Sequence, residues 1–129
     1  MSDLLLDTHA LLWWWTEHPS LSDKAEVALR DSGNNIFASA ASAWEIATKF
    51  RIGRLPEYPD AVLRFNELVM DASMRHLPVT YQHGLRAGSY LADHRDPFDR
   101  ILAAQAELES LVLVTRDPAF QDFPVRVLW

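Results

Sequence analysis

Four carboxylates in this chain are placed where side chains do chemistry: Asp7 in LLLDTHALLWWW, Glu45 in ASAASAWEIATKF, Asp99 in HRDPFDRILAAQA and Asp117 in LVLVTRDPAF. Each also has an ordinary explanation. Asp7 can cap a helix that begins at Thr8 or Ala10, and Asp117 can cap a turn opened by Pro118. Glu45 can pair with Lys49 one helical turn on, a contact worth about 0.2–0.5 kcal/mol. Asp99 suits the third position of a helix capped by Asp96, where a carboxylate favours the positive end of the helix dipole. Capping, however, is served equally well by Ser, Thr or Asn, whereas clustered carboxylates are what a divalent cation asks for. Mg²⁺ and Mn²⁺ prefer hard oxygen ligands. Several anions sharing one cleft without a cation would repel one another and raise at least one pKa.

The elements that would carry these acids follow from periodicity. Leu4 to Leu6 is a short apolar run of the kind buried in a sheet, and the chain from Thr8 turns helical, with Leu11, Leu12 and Trp15 on one side. SDKAEVALRD, residues 22 to 31, carries a Ser before a helical pattern that Gly33 closes. A strand is predicted over Asn35 to Ser39 and a helix over Ala40 to Ile52, ended by Gly53; Glu45 lies on that helix. Pro56 and Pro59 bracket a turn before an amphipathic helix through Ala61, Val62, Phe65, Leu68, Val69 and Ala72. A brief strand over His76 to Val79 precedes a helix capped by Thr80 and running to about Leu91. Asp96-Pro97 opens another helix to about Leu108. Leu111 to Thr115 is a strong strand pattern, and Val125 to Leu128 offers an edge strand.

Strands alternating with helices imply a parallel sheet covered on both faces, the doubly wound α/β arrangement, whose ligands bind outside the carboxyl ends of the strands. Asp7 and Asp117 follow the first strand and the LVLVT strand, so both belong at that edge. Composition narrows the function further. The 129 residues, 49% of them apolar, suit one domain, residues 1–129. Eighteen acidic against twelve basic side chains leave a net charge of -6, which excludes a broad basic field for nucleic acid. Any such contact must be local or metal-assisted. The absence of cysteine excludes a disulfide framework, a thiolate metal site and a Cys nucleophile. The apolar run Ala10 to Trp15 is far short of the roughly 18 residues a membrane span needs, so a soluble, cytoplasmic protein without membrane association is expected.

LLLDTHALLW, ASAASAWEIATKFRIGRL, HRDPFDRILAAQA and LVLVTRDPAF, in this order and spacing, resemble a PIN-domain protein of the VapC toxin type. The resemblance spans nearly the whole chain. It implies a PIN-like α/β/α sandwich around a central, mostly parallel sheet of about four to five strands. It also implies a Mg²⁺-dependent endoribonuclease, with Mn²⁺ as a possible substitute, acting as the toxin of a toxin–antitoxin pair. The matching acids, Asp7, Glu45, Asp99 and Asp117, would form the metal site. The implied chemistry is hydrolysis of RNA phosphodiester bonds by water activated at the ion. The implied partners are RNA, a cognate antitoxin and a second copy in a homodimer.

Other residues carry two readings each. Thr8 and Thr115 can hydrogen-bond a carboxylate or merely end an element, and Arg100 and Arg116 can meet phosphate or stand ion-paired in solvent. Lys49, Arg51 and Arg54 in KFRIGR form the best local track for an RNA backbone, with a solvated helix end as the alternative. Trp13, Trp14 and Trp15 cannot all face one core, since about 100° separates neighbours on a helix; one belongs near a surface or interface. Three rival functions stand beside the nuclease. A phosphatase with an Asp nucleophile after its first strand would want a second Asp two positions on, where this chain has His9. A metal-independent ribonuclease could use His9 and His94 as base and acid, with His18, His76 and His83 showing no pairing pattern. A non-catalytic interaction module would keep the fold and bind through the tryptophans.

Overall fold

The apolar triplet that begins the chain settles both faces of the sheet. In the computed structural model, which describes every residue except Pro56, β1 (Asp3–Leu6) points Leu4 and Leu6 into one core and Leu5 into another. Such alternation is the period of a strand, and burial on both faces is why the run is uninterrupted. α1 (Thr8–Trp15), α2 (Asp23–Arg30), α4 (Asp60–Leu63) and α5 (Phe65–Asp71) supply the first core with Leu11, Leu29, Ala61 and Val69. α6 (Tyr81–Ser89) and α7 (Pro97–Leu108) supply the second with Ala87, Leu102, Ala103 and Ala106.

β2 (Asn35–Ser39), β3 (Arg75–Leu77), β4 (Val112–Val114) and β5 (Arg126–Leu128) complete a five-stranded sheet of order β3-β2-β1-β4-β5. All of its pairings are parallel; Leu5 lies between Phe37 and Leu113 in register. The expected α/β/α sandwich is borne out, with a sheet wholly rather than mostly parallel. The strand order grows outward from β1 in both directions, so β1 and β4 flank the point where the order reverses. Ligand crevices of open parallel sheets form at such a point, at the carboxyl ends of the strands.

The predicted elements differ from the observed ones in three places. The helix expected through Ala61 to Ala72 is broken at Arg64, whose φ of -127° and ψ of 29° part α4 from α5. The break turns Phe65 edge-on to Trp15 at 5.5 Å and against His76 at 5.9 Å. β3 begins at Arg75 and ends at Leu77, because Pro78 has no N–H for the ladder. α6 ends at Ser89, where Tyr90 takes an extended ψ of 135°. The Pro56 half of the predicted turn lies outside the described residues. α3 (Ala40–Arg51) ends as its sequence foretold, with Gly53 at a φ of 76°, a conformation glycine adopts without steric cost. Among the described residues, no helix is long and apolar enough to cross a membrane.

The three consecutive tryptophans keep part of each ring at the surface, as helical spacing requires. Trp13, Trp14 and Trp15 are all half-buried against the first core, while Trp44 is 61% exposed and meets Phe98 edge-on at 4.6 Å. Helical geometry correctly forbids three fully buried neighbours, yet the core edge accommodates part of each ring.

Candidate functional site

The carboxyl ends of β1 and β4 bring Asp7 and Thr115 together. Asp7 leaves the strand in an extended conformation and caps α1, its Oδ1 accepting from the Ala10 N–H at 2.8 Å. Its backbone N–H continues the sheet by donating to Val114 O at 3.1 Å. The remaining oxygen, Oδ2, accepts from Thr115 Oγ1 at 2.6 Å. Capping is therefore real, and it leaves lone pairs on both oxygens. Burial pushes the Asp7 carboxyl above its usual range, the two hydrogen bonds pull it back, and Glu45 pushes it further up.

Glu45 enters from α3. Ser39 caps that helix, its Oγ accepting from the Ala41 N–H at 3.0 Å and donating to Gln105 Oε1 at 2.6 Å. Ser42, one turn before Glu45, meets Thr8 Oγ1 at 3.0 Å and so joins α3 to the residue after Asp7. The expected Lys49 pairing is present at 2.7 Å from Glu45 Oε2, but Glu45 is buried rather than solvated. Its other oxygen, Oε1, is buried without a hydrogen-bond partner among the described residues. A buried acceptor left in that state is costly and calls for a ligand or water.

Asp99 enters at the third position of α7, whose start is capped by Asp96 accepting from the Phe98 and Asp99 N–H groups at 2.9 and 3.1 Å. Its Oδ2 lies 2.8 Å from His94 Nε2. Burial raises the Asp99 carboxyl to about 6; the His94 hydrogen bond opposes the rise, and Asp96 and Glu45 add to it. Glu45 thus pushes both the Asp7 and the Asp99 carboxyls upward, so its charge is felt at each of them. Asp117 stands slightly apart. It is exposed, it caps the short 3₁₀ turn Pro118–Asp122 through a 2.9 Å bond from Ala119 N–H, and its own N–H donates to Thr115 Oγ1 at 3.1 Å. Thr115 is the link between Asp117 and Asp7.

Among the described residues, no three acidic or histidine side chains converge closely enough to hold a metal ion between them. The chemistry of the donor set nevertheless fits a hard cation. The acids are oxygen donors, one of them carries an orphaned buried oxygen, and two have pKa values raised by burial and mutual repulsion.

Some expected contributors prove otherwise engaged. Arg100 does not face phosphate: its guanidinium donates to the carbonyls of Ala87, Tyr90, Ala92 and His94 at 2.6–2.9 Å. Lys49 of the KFRIGR segment is committed to Glu45, which leaves Arg51 and Arg54 exposed as the basic pair. Arg116 is exposed with its guanidinium 4.6 Å over the Trp13 ring, and its N–H groups have no hydrogen-bond partner among the described residues. Gln105, which positions Ser39, carries only a faint sequence signal, a lone amide among the alanines of AAQA.

A parallel sheet with Asp7 and Asp117 linked through Thr115 at its switch point defines a class, and the PIN domain family model matches residues 4–125. The chain belongs to the PIN domain family. Among solved structures, VapBC2 from Rickettsia felis, bound to a DNA fragment from its promoter, aligns at a TM-score of 0.71. That match covers 98% of each chain at 14% identity. VapBC-1 from nontypeable Haemophilus influenzae aligns at 0.70, covering 98% of this chain and 96% of that one at 18% identity. FitAcB from Neisseria gonorrhoeae aligns at 0.63 with the same coverage and 22% identity. At these identities the likeness is one of fold, and it bears out the PIN-like fold that the resemblance implies. PIN domains of VapC toxins are typically nucleases, and such nucleases generally use divalent metals. No curated protein sequence matches the chain.

Proposed function

We propose that this protein is a Mg²⁺- or Mn²⁺-dependent endoribonuclease, a single cytoplasmic domain that serves as the toxin of a toxin–antitoxin pair. The observation that carries the reading is the Glu45 oxygen left buried without a partner, on an acid whose charge raises both the Asp7 and the Asp99 carboxyls. In this reading Asp7, Glu45 and Asp99 hold the ion, and Asp117 orients the attacking water or holds a second ion. When bound, the cation supplies positive charge that makes water a better nucleophile and stabilises charge developing on the phosphate. Thr115 fixes the Asp7 carboxylate through its 2.6 Å hydrogen bond, and the Ala10 N–H fixes the other oxygen. Arg116 offers its N–H groups to a substrate phosphate beside Asp117.

Support for a protein partner comes from the toxin–antitoxin complexes among the structural neighbours and from a recess between α1, α2 and α5. Trp14, Trp15, Leu21 and Leu68 line it, with Glu17, Asp23 and Asp71 at hand. An antitoxin segment with apolar and basic side chains suits that lining, and a homodimer suits the family resemblance. The deciding experiment is cleavage of total RNA by wild-type protein, Asp7→Asn and Asp99→Asn, with Mg²⁺ or Mn²⁺ and then with chelator. Cleavage that requires both the metal and the acids supports the nuclease. Cleavage that survives chelator and both substitutions rejects the metal site, and no cleavage by any preparation favours an interaction module.

A further inference from the structure

Next to the acids, the most heavily constrained segment is the connection from α6 to α7, residues 90–96. It has no regular hydrogen bonding of its own, and a single side chain organises it. Arg100 Nε donates to Ala87 O at 2.8 Å, Nη2 to Tyr90 O at 2.6 Å, and Nη1 to Ala92 O and His94 O at 2.9 and 2.8 Å. The planar guanidinium holds a fixed fork of donors, so these contacts set the path of the loop and not merely its charge. The last carbonyl in the series belongs to His94.

The His94 ring is held as firmly as its backbone. It meets Phe123 edge-on at 6.0 Å and Phe120 at 6.4 Å, both on or beside the turn capped by Asp117. Its Nε2 lies 2.8 Å from Asp99 Oδ2, and the pair is mostly shielded, with side chains 23% and 18% exposed. An ionised carboxylate only accepts hydrogen bonds, so Nε2 is the donor. Asp99 Oδ1 has no hydrogen bond among the described residues.

We infer that His94 is a positioning residue for Asp99: held by Arg100 and the two phenylalanines, it binds Oδ2 and so fixes the carboxylate plane with Oδ1 presented to the ion. The inference rests on the metal-dependent reading above. It assigns His94 no proton transfer, in contrast to the acid–base role considered from sequence. Partners that orient ligating groups in this way commonly change metal affinity about 10–100-fold when removed.

The test is Mn²⁺ binding to the full chain, read from the free-ion electron paramagnetic resonance signal, for wild type, His94→Gln and His94→Asn. A Gln amide nitrogen can reach the position of Nε2, whereas the shorter Asn amide cannot. The expected result is near wild-type affinity for His94→Gln and a loss of about 10–100-fold for His94→Asn. Unfolding midpoints measured in chelator should be similar for the two variants. Wild-type affinity in His94→Asn overturns the proposal, as does an equal loss in His94→Gln, which would make the ring's packing the cause. Absence of Mn²⁺ binding by the wild type removes the metal reading and this inference with it, and is distinguishable because all three proteins then behave alike.

Discussion

Thr115 and Asp7 stand 108 positions apart, and Thr115 Oγ1 donates to Asp7 Oδ2 at 2.6 Å in the buried seam between β4 and β1. Thr115→Val keeps the shape of the side chain and removes the donor. A buried carboxylate deprived of a hydrogen bond loses about 1–3 kcal/mol. Thr115→Val should therefore be destabilised by that order at pH 7 in urea denaturation, while Thr115→Ser should recover most of the loss. Equal midpoints for Val and wild type would mean that the hydrogen bond does not stabilise the fold.

Asp99 predicts an unusual pH response. In the absence of metal its carboxyl is raised from 3.8 to about 6, chiefly by burial. Between those values the folded chain binds more protons than the unfolded one, so stability falls as pH rises through the window. Asp7 is raised as well and acts in the same direction. Glu107 acts in the opposite sense, since the Arg86 hydrogen bond lowers it from 4.5 and its contribution is lost only at lower pH. In chelator, the urea midpoint should thus be higher at pH 5 than at pH 7, and Asp99→Asn should show a shallower dependence. A wild-type midpoint that is lower at pH 5 contradicts the burial argument.

The legible parts of this protein are those determined by local pattern. Leu4 to Leu6 reads as a buried strand because both faces are covered, and Asp96-Pro97 reads as a helix start because cap and first turn are local chemistry. Asp7 and Asp117 were placed at one edge from strand ends alone, and the structure links them through Thr115. What sequence does not reveal is which long polar side chain meets which distant group. Arg100 beside Asp99 reads as either a phosphate contact or a solvated, ion-paired arginine, yet it turns to the carbonyls of its own preceding loop. The Glu45–Lys49 pairing is legible as one of two readings of Glu45, but spacing reports the partner and not the burial supplied by neighbouring elements. The break at Arg64 escapes a periodicity that runs smoothly across it.

Arg100 gives a prediction about local order. Four of its N–H groups are taken by backbone carbonyls between Ala87 and His94. Arg100→Leu releases these acceptors, and since a hydrogen bond to a charged group contributes about 1.5–3 kcal/mol net while water can take up most of the freed loop carbonyls, a loss of about 2–3 kcal/mol is expected. Arg100→Lys should recover little, because an ammonium cannot reproduce the fork. Hydrogen exchange should accelerate first in residues 90–95. Unchanged exchange there in Arg100→Leu would show that the loop is held by other contacts.

The Ser39–Gln105 pair tests how the helix bearing Glu45 is anchored. Ser39 Oγ accepts from the first turn of α3 and donates to Gln105 Oε1 at 2.6 Å, while Gln105 Nε2 donates to Pro78 O at 3.3 Å. Both side chains are fully buried, so removing one partner orphans the other. Ser39→Ala loses a helix cap and strands the Gln105 carbonyl, for an expected cost of about 2–3 kcal/mol. Gln105→Leu strands the Ser39 hydroxyl and Pro78 O but keeps similar volume, for about 1–3 kcal/mol. The double variant has fewer orphaned groups than the singles combined, so its loss should fall short of their sum by about 1 kcal/mol or more. Strict additivity in urea denaturation would show that the two groups do not depend on each other, and that α3 is held in place by its other contacts, the Ser42–Thr8 hydrogen bond among them.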